Sequence, residues 1–290
     1  MVDVHRFDEP AAVGVALNNV EYLATNDINQ VVFLAQELEK PLLIEGPAGV
    51  GKTELAISMA AIYARRLIRL QCYEGLDEAK ALYEWNYRKQ LLRLQSDEGR
   101  AWSDVEEDIF GEGFLLTRPL LEAITSPEPV VLLIDEVDRL EIETEALLLE
   151  LLAEYQVTIP ELGTLTATSM PFTVLTSNNT RDLSEALKRR CLFLHLDYPT
   201  LEREQQILQR RVPDLDGALA AEAARVVRSL RGLDLRKAPS ISESIDWART
   251  LVALGIDHLS DDAVSGTLGV LLKHQSDIDT ARKTLQASDA

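Results

Sequence analysis

The segment Gly46-Pro47-Ala48-Gly49-Val50-Gly51-Lys52-Thr53 has the residue types and spacing of a phosphate-binding loop, G-x-x-x-x-G-K-[ST]. Glycines allow backbone N–H groups to approach phosphate oxygens closely, and a helix starting at the loop's end adds its positive dipole end. Lys52 then reaches the β and γ phosphates, and the Thr53 hydroxyl is placed to ligate Mg²⁺. Glu54 follows as a further candidate nucleotide contact. The flanks suit the motif: Leu42-Leu43-Ile44 reads as a buried strand, and Glu54 through Ala60 as a helix.

A triphosphate hydrolase also needs a metal ligand, a positioned water and positive charge at the γ-phosphate. Pro129-Val130-Val131-Leu132-Leu133-Ile134 is a continuous apolar run ending in Asp135-Glu136. Such a run suits a parallel strand covered on both faces. An acid at its carboxyl end lies where open α/β sheets bind ligands. Asp135 is the candidate Mg²⁺ ligand and Glu136 the candidate general base. Asn178 ends the next expected strand, Phe172–Thr176, where its amide either contacts the γ-phosphate or simply favours a turn. Lys188-Arg189-Arg190 is a short basic cluster before the last expected strand, Leu192–Leu196. It reads either as functional or as a solvated helix end.

The elements that must position these groups follow from periodicity. Residues 10–40 form two helices, and Leu67–Cys72 a second strand. The stretch 74–108, with Tyr83, Trp85, Tyr87 and Trp102, reads as helical with an exposed insertion, placed at about 73–110. It is either a partner surface or an ordinary amphipathic insertion. Glu143 through Tyr155 reads as a helix with Leu147, Leu148, Leu151 and Leu152 inward, and residues 156–167 as a hairpin around Glu161-Leu162-Gly163. Beyond Pro199 only helical periodicity remains. The expectation is a doubly wound parallel α/β domain over 1–197, followed by a small all-helical domain over 198–290.

Composition limits the function. The 290 residues carry a formal net charge of −19, which counts against nonspecific nucleic-acid binding and against an anionic membrane surface. No apolar stretch approaches membrane-spanning length. The N-terminus lacks an apolar signal core, so a cytoplasmic location is expected. Cys72 and Cys191 suit a reducing compartment. His5, His195, His258 and His274 show no metal spacing. There is no nucleophile elbow and no G-x-G-x-x-G fingerprint.

Taken together, Gly46–Thr53, Val130–Glu136, Asn178 and Arg189-Arg190 resemble the AAA+ ATPases, and the helical tail resembles the AAA+ lid. The compact N-terminus, the 73–110 insertion, the 156–167 hairpin and Leu115-Leu116-Thr117-Arg118-Pro119-Leu120 resemble the MoxR branch. Leu70-Gln71-Cys72-Tyr73-Glu74-Gly75-Leu76-Asp77 and Ala238-Pro239-Ser240 are similar to the accessory ATPases of carbon monoxide dehydrogenase operons. The resemblance implies Mg²⁺-dependent ATP hydrolysis in a hexameric ring. Asn178 matches the sensor-1 asparagine, and Arg190 the finger arginine supplied in trans, with Arg189 as the alternative. It further implies a von Willebrand factor A domain partner and a client metalloenzyme, for the nearest relatives a molybdenum hydroxylase. Two other classes share the same ATP site: a nucleic-acid motor or loader, and a nucleotide-gated scaffold. One departure stands out. The family often places an arginine in a Ser-Pro-Arg-type lid segment, whereas Pro239-Ser240-Ile241-Ser242-Glu243 has none; Arg236, Lys237 or Arg249 would have to substitute.

Overall fold

The computed structural model describes residues 6–96 and 109–288. Part of the expected insertion, including Trp102, and His5 lie outside the described residues. The chain divides into two compact units, Met1–Glu45 with Lys52–His195, and Gly46–Gly51 with Leu196–Ala290.

The first unit is built on five parallel strands: β1 (Leu42–Glu45), β2 (Leu67–Gln71), β5 (Val131–Asp135), β8 (Phe172–Ser177) and β9 (Leu192–His195). They pair in the order β2-β5-β8-β1-β9. Every residue of β5 and β8 is buried, as the unbroken apolar run Val130–Ile134 requires of a strand covered on both faces. Leu132, Leu133 and Ile134 are fully enclosed, each contributing roughly 1.5–3 kcal/mol relative to exposure. Helices α1 (Pro10–Asn19), α2 (Asn26–Glu37), α3 (Lys52–Ile62), α6 (Pro119–Thr125) and α7 (Ile142–Glu154) belong to the same unit. Thr25 caps α2 by accepting the Ile28 N–H at 3.3 Å. The expected hairpin is present as β6 (Gln156–Ile159) and β7 (Gly163–Thr166), with Gly163 at φ 81° in the turn.

The stretch expected to be helical within 73–110 is more varied. It contains α4 (Glu78–Ala81), the strand β3 (Tyr83–Trp85) and α5 (Tyr87–Ser96). β3 pairs antiparallel with β4 (Leu115–Thr117), so the chain before and after the insertion meets in one ribbon. Tyr83 and Trp85 lie two residues apart and share a strand face, and Trp85 joins the main apolar cluster edge-on to Phe110 at 5.3 Å. Glu84, on the other face, pairs with Arg118 at 2.7 Å. A three-residue strand is too short for periodicity to reveal; its partner lies thirty-odd residues away.

The second unit holds five helices: α9 (Leu201–Arg211), α10 (Gly217–Arg231), α11 (Ile241–Ala253), α12 (Asp261–Leu271) and α13 (Gln275–Ser288). Its apolar core surrounds Trp247, whose indole N–H donates to Thr267 Oγ1 at 2.8 Å. One buried ion pair crosses this core. Arg231 binds both Glu204 oxygens, at 2.6 and 2.9 Å, and stacks over the Tyr198 ring at 4.3 Å. Among the described residues, no helix is long and apolar enough to cross a membrane.

Candidate functional site

Because β1, β5 and β8 run parallel, their carboxyl ends share one edge of the sheet. From that edge leave the glycine loop, Glu136 and Asn178. The loop's three glycines all have positive φ: Gly46 at 154°, Gly49 at 73° and Gly51 at 102°. L-residues rarely adopt such angles. Gly49 also has no room for a side chain: a Cβ there would lie 2.4 Å from Ser240 Cβ, and Gly49 O accepts the Ile241 N–H at 3.2 Å. Lys52 and Thr53 follow as the first residues of α3, an eleven-residue helix whose N-terminal dipole end favours anions.

Three side chains converge on the Asp135 carboxylate, which is almost fully buried. Thr53 Oγ1 donates to Oδ1 at 3.0 Å. The Thr176 hydroxyl donates to the same oxygen. Arg69 Nη2 donates to Oδ2 at 2.5 Å. Lys52 lies close enough for the charges of Asp138, Asp135 and Glu136 to act on it. Burial of the ammonium is the larger influence, and it holds the Lys52 pKa below the usual lysine range. Lys52 Nζ donates to Asn178 Oδ1 at 2.9 Å. Glu136 has φ 58°, its N–H donates to Thr176 Oγ1 at 2.9 Å, and its carboxylate pairs with Arg139 at 2.8 Å.

The structure thus places Lys52 on Asn178 and Thr53 on Asp135, with Glu136 next in the chain. The basic cluster is separate. It starts at Lys188, the last residue of α8 (Glu185–Lys188). Arg190 folds back to donate to Ala186 O at 2.8 Å, and its Nε is buried without a partner among the described residues. Arg189 is exposed.

Three contributors escape the sequence motifs: Arg69, Thr176 and Asp138. Arg69 and Thr176 are polar residues inside apolar strands, and that interruption was their only signal. Asp138 follows the acidic pair by two positions.

Residues 41–191, just over half of the chain, match the AAA domain of the dynein-related subfamily. The chain belongs to this AAA family. The dynein-related AAA domain accounts for the parallel sheet, the glycine loop on β1 and the acidic pair on β5. Uncharacterized proteins of Staphylococcus aureus, from strains USA300 and NCTC 8325, are 26% identical over 253 residues, 78% of this chain and 87% of theirs. The solved structure of the Thermotoga maritima RuvB Holliday junction branch migration motor is similar in fold, with a TM-score of 0.51 at 20% identity over 87% of this chain and 71% of that one. A mutant form of the same RuvB superposes with a TM-score of 0.51 over 91% of this chain.

The donor set fits the groups that an AAA domain handles. Asp135 and Thr53 offer hard oxygen atoms, as Mg²⁺ prefers when it shares its shell with substrate phosphates. A loop of three positive-φ glycines, followed by a lysine and a helix N-terminus, suits a triphosphate.

In the second unit the segment Pro239–Glu243, where the resemblance would place an arginine, caps a helix. Ser240 and Glu243 form a reciprocal capping box at the start of α11. Lys237 Nζ pairs with Glu243 at 2.9 Å, and Arg249 lies 3.4 Å from Asp246. The backbone N–H groups of Arg236 and Lys237 are held by Asp277.

Proposed function

We propose that this protein is a MoxR-type AAA+ ATPase that couples ATP hydrolysis to remodelling or maturation of a client metalloenzyme, of which a molybdenum hydroxylase is the best-fitting class. The observation that carries the ATPase part is the contact set Lys52–Asn178 and Thr53–Asp135 at one sheet edge. In this reading Gly46–Thr53 and Glu54 bind the nucleotide, and Thr53 and Asp135 hold Mg²⁺. The metal would supply charge neutralisation on the phosphate oxygens. Glu136 takes a proton from the attacking water, and Asn178 orients that water or the γ-phosphate. Lys52, held on Asn178 at 2.9 Å, brings its positive charge to the same sheet edge, where phosphate oxygens would be bound.

Completion of the site by a neighbouring subunit in a hexameric ring belongs to the same proposal. Arg190 or Arg189 supplies the positive charge there. Arg190 has a buried Nε with no partner among the described residues, and Arg189 is exposed, so both stay candidates. A von Willebrand factor A domain protein is the proposed working partner.

The RuvB likeness suggests a second reading, a nucleic-acid motor. It rests on fold alone, and a net charge of −19 opposes it, since backbone binding requires clustered cations. The deciding experiment is affinity capture from the native host with Glu136→Gln held in ATP. Recovery of a von Willebrand factor A protein or a molybdenum enzyme subunit supports maturation. Recovery of nucleic acid or replication proteins replaces it with the motor.

A further inference from the structure

Asp138 is a buried acid to which the proposed hydrolysis assigns no role. It lies in the 3-10 turn Val137–Arg139 and is 3% exposed. Its Oδ1 accepts the Asn178 N–H at 3.2 Å. Its Oδ2 accepts the Thr180 N–H at 3.0 Å and the Thr180 hydroxyl at 2.6 Å. Between them Asn179 has φ 57°, and its own N–H goes to Ser177 Oγ at 3.0 Å. Past the end of β8 no strand ladder holds residues 178–180. Side-chain oxygens take all three N–H groups instead, and one carboxylate takes two of them. Burial favours the neutral acid, but the hydrogen bonds from Thr180 and Asn178 outweigh it and keep Asp138 below the usual carboxylate range.

We propose that Asp138 is the positioning residue for Asn178: by clamping the backbone at 178 and 180, it fixes the direction in which the Asn178 amide is presented beside Lys52. It acts through Asn178 and touches no reacting atom. A carboxylate suits the task because both oxygens accept. Asparagine would present an N–H₂ to one set of N–H and O–H donors and lose that half of the clamp. The inference rests on the reading of Asn178 as a site amide.

The test is a double-mutant cycle on the full chain, measuring kcat for ATP and the Kd of a fluorescent ATP analogue. Asp138→Asn is expected to lower kcat by about tenfold or more while Kd changes less than about threefold. In an Asn178→Ala background, the same substitution should change kcat by less than about twofold, because the group it positions is gone. An undiminished effect in that background overturns the proposal. So does a raised Kd with unchanged kcat, which would mean that Asp138 acts on Lys52. Thr180→Val, which deletes one donor to Oδ2, runs the same cycle with a smaller effect should Asp138→Asn fail to fold. Additive effects there also overturn the proposal. If Asn178→Ala alone leaves kcat unchanged, the reading of Asn178 falls and the clamp's role falls with it. Loss of kcat in that variant, with additive behaviour of Asp138, removes the clamp alone.

Discussion

Lys52 Nζ donates to Asn178 Oδ1 at 2.9 Å, joining residues 126 positions apart. The first residue of α3 and the residue just after β8 are thereby linked at one edge of the sheet. A charge-assisted bond of this kind aligns both groups at one point, where a terminal phosphate would be received. Lys52→Ala is expected to weaken ATP binding by about 10–100-fold, the effect of a lost hydrogen bond to a charged group. Titration with a fluorescent ATP analogue measures it. Unchanged affinity would remove the phosphate-loop assignment.

Glu136 sits in a left-handed conformation directly after Asp135, with its carboxylate on Arg139. Glu136→Gln keeps the size and one acceptor but cannot take a proton. We expect retained nucleotide affinity and a fall in turnover of about 10²–10⁴-fold. Phosphate release under saturating ATP is the assay, and wild-type turnover would dismiss Glu136 as base.

The basic cluster separates two arginines by environment, Arg190 folded onto Ala186 O and Arg189 exposed. If one of them acts on a neighbour's nucleotide in the proposed ring, its alanine variant should bind ATP normally and hydrolyse almost none when every subunit carries it. Mixing that variant with Glu136→Gln should restore activity, since some interfaces then carry both intact groups. Arg189→Ala and Arg190→Ala tested side by side identify the residue, and no recovery in either mixture counts against shared sites.

Stability of the helical unit should depend on Glu204. It is 1% exposed and binds Arg231 through both oxygens, with Ser244 Oγ also donating at 3.0 Å. Glu204→Ala leaves a guanidinium buried without its counter-charge, which costs about 3–5 kcal/mol. Denaturant melts of the intact chain would show it as a lowered midpoint. A shift below about 0.5 kcal/mol would place the pair among energetically neutral contacts.

Acid should weaken the first unit through Glu145. Burial raises the pKa of this carboxyl, but bonds from Ser184 and Arg181 outweigh it and hold the value below the ordinary range. A depressed folded-state pKa contributes stability above the unfolded value, about 4.3, that is lost as pH falls through the folded one. Glu145→Gln should therefore be less stable than wild type at pH 7, with the gap narrowing below about pH 4. Melting temperatures across that range test it; a constant gap would refute the linkage.

Much of this was legible in one dimension. The run Val130–Ile134 declared a strand buried on both faces, because only a covered parallel strand tolerates unbroken apolar residues. The hairpin at 156–167 was visible in its Gly163 turn. β3 and β4 were not visible, since each has three residues and a partner beyond the insertion. Arg69 was not visible either: nothing local says that an arginine on β2 will face the aspartate that ends β5, although the register Gln71↔Asp135 brings them together.

By itself the sequence determined the order of elements, the glycine loop before α3 and the acidic pair after an apolar strand. These are encoded by residues near one another in the chain. Tertiary structure alone decided which groups meet at the sheet edge: Lys52 with Asn178, Thr53, Thr176 and Arg69 with Asp135, and Asp138 with the 178–180 turn. The reason is physical. Strand periodicity says which face a residue takes, but contact across a parallel sheet depends on strand order and register, which are set by packing among segments far apart in sequence.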